Sequence, residues 1–137
     1  MKDIKEVYPG AKNENYGWFD VYDYGKLLKS FEYEILLKED YGSYQGDTLV
    51  LFENGNEYGF LNFGWGSCSF CDALLACNSY EELEDLRNGL HNDIVWKNKE
   101  EMIDYLTNEE LMEQKFWFWE SGSKEFLKKA VKILKEE

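Results

Sequence analysis

The run Thr48-Leu49-Val50-Leu51-Phe52, the tripeptide Asn54-Gly55-Asn56 and the run Tyr58-Gly59-Phe60-Leu61-Asn62-Phe63 decide the fold. The first run is short, apolar and rich in strand formers. Asn54-Gly55-Asn56 supplies residues that tolerate the positive φ of a tight hairpin turn. The third run leads the chain back, so residues 48–63 read as a β-hairpin. That hairpin places Leu49, Leu51, Phe60 and neighbouring aromatics on a core face.

Upstream, residues 31–38 (Phe31-Glu32-Tyr33-Glu34-Ile35-Leu36-Leu37-Lys38) open with apolar/polar alternation and read as a strand, with a helical continuation from Lys26 as the alternative. The polar stretch 41–47 connects it to the hairpin. Before it, Pro9-Gly10 marks a turn, and Tyr16, Trp18, Phe19, Tyr22 and Tyr24 crowd aromatics without a period. Downstream the period becomes helical. Ser79 followed by Glu82 is a capping-box pattern ahead of a Leu83, Leu86, Leu90 stripe. Ile94-Val95-Trp96 reads as an added strand, and Asn98 as the cap of a helix with Met102, Ile103 and Leu106 inward. Residues 107–112 form a short extra turn. Ser123 caps a last helix whose apolar face is Phe126, Leu127, Ala130, Val131 and Leu134. The expectation is a single α+β domain over residues 1–137, a small antiparallel sheet built on the central hairpin with three or so helices packed on it.

The chain has 137 residues, 44% of them hydrophobic and 18% aromatic, which excludes an intrinsically disordered protein. It carries 15 basic and 28 acidic residues, a net charge of −13. Such a chain repels phosphate, so direct nucleic-acid binding and attraction to anionic membranes are not expected. No apolar run has the roughly 18 residues needed to span a bilayer. Met1-Lys2-Asp3-Ile4-Lys5-Glu6 lacks a signal-peptide core, so a cytoplasmic location is expected. Composition leaves the oligomeric state open.

The most unusual local feature is Gly64-Trp65-Gly66-Ser67-Cys68-Ser69-Phe70-Cys71-Asp72, with Cys77 beyond it. Two thiolates on one tight C-x2-C turn suit two corners of a zinc tetrahedron, with Cys77 and His91 as the remaining candidates. If Cys71 and Cys77 share a helix, their spacing places them on different faces, which strains a closed site. A redox reading of the same turn lacks the βαβ context. The alternative is structural: small buried cysteines and a glycine-rich turn. A small-molecule or metal site, enzymatic or not, would draw on the loop residues Tyr44, Gln45, Asp47, Ser67 and Asp72. Asp47 and Asp72 could jointly hold a divalent cation, although Asp72 is also a natural helix cap. The glycines do not fit a phosphate-loop spacing, and no catalytic residue is assigned.

Charge distribution carries more. From Glu81 to Glu120 there are 12 acidic residues against Arg87, Lys97, Lys99 and Lys115. Glu81/Asp85, Glu100/Asp104 and Glu109/Glu113 place like charges one helical turn apart, at a cost of a few tenths of a kcal/mol each. This is either a solvated face or a surface that steers a basic partner protein; Glu81, Asp85, Glu100, Glu101 and Asp104 are its candidate contacts. In the last helix Lys124, Lys128 and Lys132 line one edge, and Lys129 is expected to pair with Glu125. Phe116-Trp117-Phe118-Trp119 cannot all face one core, which makes Trp117 and Trp119 candidate partner anchors.

The segments Tyr44-Gln45-Gly46-Asp47-Thr48-Leu49-Val50-Leu51, Tyr58-Gly59-Phe60-Leu61 and Gly64-Trp65-Gly66-Ser67-Cys68-Ser69-Phe70-Cys71-Asp72-Ala73-Leu74 resemble those of an uncharacterised group of small acidic bacterial and phage proteins with YQGD and GSCSxCDAL segments. The similarity spans about two thirds of the chain, reaching the Phe126 helix. It implies no activity, cofactor or catalytic residue. Its phage association implies an accessory or anti-defence role. The functional expectation is therefore an acidic interaction protein that inhibits or modulates a basic partner, of which a nucleic-acid-handling protein is one kind. The cysteine-turn ligand site is the alternative.

Overall fold

In the computed structural model, which describes residues 1–9, 24–42, 46–66, 73–74, 77, 79–115 and 123–137, the hairpin is the centre of the sheet. Strands β1 (Glu34–Gly42), β2 (Gly46–Asn54), β3 (Glu57–Trp65) and β4 (Val95–Lys97) lie in the order β1-β2-β3-β4, all antiparallel. Asn54 pairs with Glu57 across the turn, and Gly55 takes φ 64°, the left-handed conformation the turn needs. Around the sheet are α1 (Ile4–Val7), α2 (Tyr24–Lys29), α3 (Tyr80–Asn92), α4 (Lys99–Thr107), α5 (Glu109–Lys115) and α6 (Lys124–Glu136). The fold is α+β, with more helices than the sequence pattern suggested.

Helices cover both faces of the sheet. Val50, Phe52, Leu61 and Phe63 pack with Ile4, Leu27, Leu28, Leu83 and Leu90 of α1, α2 and α3. Leu49, Leu51, Tyr58 and Phe60 pack with Met102, Leu106, Met112, Phe126, Leu127, Ala130 and Leu134 of α4, α5 and α6. The uninterrupted apolar run Leu49–Phe52 is thus explained, because successive side chains enter opposite cores. The expected single core face is one of two. Each fully buried Leu or Phe contributes about 1.5–3 kcal/mol, so both layers depend on the central strands.

Local signals explain the boundaries. The Ser79 hydroxyl accepts from Glu82 N at 3.1 Å, and Asn98 Oδ1 accepts from Glu101 N at 2.8 Å, as the capping patterns required. Strand β1 begins later than residue 31 because α2 holds the chain first. Ser30, Phe31 and Glu32 donate back to helical carbonyls, and Glu32 leaves the helix at φ 65°, where glycine is the usual residue. A register shift between Ile35 and Leu37 lets Leu36 and Leu37 both pack on the α4–α6 layer. Ser123 departs from expectation. Its backbone is already helical and its side chain makes no cap bond, so its hydroxyl is not where a cap must sit. Lys129 also departs: its Nζ lies 2.6 Å from Glu39 Oε1 on β1, while Glu125 is met by Lys128 at 3.7 Å.

Candidate functional site

Helices α4 and α5 follow one another in the chain and turn the same kind of face outward. Met102, Leu106 and Met112 are buried against the sheet, which by helical geometry leaves Glu100, Glu101, Asp104, Glu109, Glu110 and Glu113 exposed. Glu101 also accepts a hydrogen bond from the Asn98 side chain, completing a capping arrangement. No ion pair of these six carboxylates occurs among the described residues. The lysines of the C-terminal segment sit instead on α6, where one is engaged by β1.

Glu81 and Asp85 are exposed on α3, whose Leu83 and Leu90 belong to the other core. The sheet therefore separates them from Glu100, Glu101 and Asp104. The acidic candidates do not form one continuous surface but two, facing away from each other across three layers. Trp117 and Trp119 lie outside the described residues.

The loop and cysteine candidates are only partly visible. Tyr44, Gln45, Ser67, Cys68, Cys71 and Asp72 lie outside the described residues. Asp47 is half-buried near the start of β2, between Tyr41 of β1 and Gly64 of β3. Cys77 is buried, its Sγ 3.3 Å from Ala73 O. His91 sits near the end of α3 with Nε2 2.8 Å from the Tyr33 hydroxyl and its ring stacked on Tyr33 at 5.7 Å. Phe31 meets the same imidazole edge-on at 5.2 Å. His91 thus completes an aromatic cluster with Phe31, Tyr33, Phe52 and Trp96. Among the described residues, no group of three His, Cys, Asp or Glu side chains is arranged to hold a metal.

Two polar networks went unread in the sequence. Glu39 accepts from the Tyr41 hydroxyl and from Lys129. Partial burial pushes the Glu39 carboxyl up, but the hydrogen bonds and the Lys129 charge outweigh it and hold it below the usual range. Burial, then the adjoining Glu39, pushes the Tyr41 phenol well up. On the opposite face of β1, Asp40 accepts from Thr48, which in turn accepts from Trp65 Nε1 at 3.1 Å. The first reaches from β1 to α6, 90 residues away, and the second crosses the neighbouring strands β1, β2 and β3, so both depend on strand register and packing. They fasten strands and α6 together.

Among the described residues, no helix is long and apolar enough to cross a membrane. The chain matches no known family model, no curated protein and no solved structure.

Proposed function

We propose that this chain is a small acidic interaction protein that docks a basic partner protein on the α4–α5 face. In that reading it inhibits or modulates the partner, as anti-defence and toxin-immunity proteins do. The observation that carries it is the set of six exposed carboxylates, Glu100 to Glu113, none of them in an ion pair among the described residues. Glu100/Asp104 and Glu109/Glu113 repel within their own helices, so the arrangement weakens the fold slightly while concentrating negative potential outward. Such a field accelerates encounter with a cationic surface and does so less at high salt. The α3 acids are a separate face in this reading, and Trp117 and Trp119 are proposed as anchors.

The test is co-purification from native-host lysate with untagged-equivalent bait, washed at rising salt, comparing wild type with E100Q/E101Q/D104N and with E81Q/D85N. Loss of a stoichiometric, salt-sensitive partner in the first variant alone supports the reading. Retention of every partner by that variant, at every salt concentration, refutes it.

A further inference from the structure

We propose that the groove between α4–α5 and α6 is a binding site for an aliphatic carboxylate, with the tail on the apolar floor and the carboxylate at Lys124 and Lys128. The groove is open to solvent, has a volume of about 430 Å³ and is lined, among the described residues, by Leu106, Thr107, Glu109, Lys124, Leu127, Lys128 and Val131. That volume lies within the range of small-molecule sites, roughly 300–1,000 Å³.

Its chemistry is sorted by wall. Leu106, Leu127 and Val131 give an aliphatic floor. Thr107 adds little polarity, because its hydroxyl donates back to Ile103 O at 2.7 Å. Lys124 and Lys128 stand on the α6 wall, one turn apart in the first turns of a 13-residue helix, where the helix dipole also favours an anion. Lys128 meets only the exposed Glu125 at 3.7 Å among the described residues, a pairing that is easily exchanged. Glu109 lies on the α5 wall, so it orients an amphipathic acid, head toward α6 and away from α5. In a chain of net charge −13, a cationic wall above an aliphatic floor selects an anionic head on an apolar tail.

The groove shares Glu109 with the α4–α5 docking face, but neither lysine belongs to that face, so the lysine variants test this proposal separately. The experiment is a titration of the whole chain with decanoate, read by NMR at the methyl groups of Leu106, Leu127 and Val131. Decyltrimethylammonium serves as the same tail with the opposite head, and propionate as the head without the tail. Saturable shifts centred on the three residues are expected with decanoate, with at least about tenfold weaker binding of the cationic analogue. K124Q and K128Q should each weaken decanoate by up to about fivefold. T107W, at the exposed end of α4, should fill the groove and abolish the saturable shift. Equal binding of both heads, shifts scattered over the surface, or no saturation with wild type would overturn the proposal.

Discussion

Lys129 on α6 and Glu39 on β1 are 90 residues apart in sequence and 2.6 Å apart in space. The last helix is thereby tied directly to the first strand. Because Glu39 is held below its ordinary value of 4.5, the contact stabilises the fold above that value and is lost as pH falls below it. Lys129→Met should cost about 0.5 kcal/mol near neutral pH and flatten the acid end of the stability profile. Urea unfolding across the acid range reads both effects.

At the other end of the hairpin, Glu53 behaves in the opposite sense. Burial, then the nearby Glu137 and the cross-strand Glu34, push its carboxyl above 4.5, while Lys99 offsets this in part. The folded state holds this proton more tightly than the unfolded chain, so stability falls as pH rises through that interval. Glu53→Gln should raise the thermal midpoint at neutral pH, and the gain should vanish on acidification. A gain independent of pH would argue against the carboxyl cluster as its cause.

Arg87 is buried, yet its guanidinium meets no carboxylate among the described residues. It donates to Lys2 O and to Ser30 Oγ, and Lys2 N donates to Ser30 O at 2.8 Å. Arg87→Leu should cost about 1–3 kcal/mol and speed amide exchange at Lys2 before it affects the central strands. Exchange unchanged at Lys2 would show that the N-terminal segment is held by other contacts.

Gly59 faces β4 at a point of close approach. A Cβ there would sit 2.7 Å from Ile94 Cγ2 and 2.9 Å from the Trp96 ring. Gly59→Ala should destabilise by about 1–3 kcal/mol. Trp96→Leu in the same background should return part of that loss, and a double-mutant cycle measures the coupling.

What could be read from sequence follows the range of the interaction. The Asn54-Gly55-Asn56 turn and the Ser79 and Asn98 caps are decided within a few residues, and their geometry is as expected. Ser123 misled because a serine before an apolar helix signals a cap only if its own backbone is extended, and here it is helical. Lys129 misled because a local acid, Glu125, competes on paper with a distant one that only the fold brings near. The acidic candidates could be listed from spacing, but their separation into two faces depends on which core each helix joins. The α6 groove had no sequence signal beyond a row of lysines beside an apolar stripe.

The two-sided burial of β2 and β3 also changes how strand alignment is specified. In a sheet with one wet face, a slip by one residue is punished by polarity, since it drives charges inward. Here Leu49 and Leu51 would merely trade places with Val50 and Phe52, apolar for apolar. Alignment must instead be written in shape: the left-handed Gly55, the bare backbone of Gly59 beneath Trp96, and the extra residue near Leu36. Three small irregularities, rather than hydrophobic contrast, tell this sheet where its strands belong.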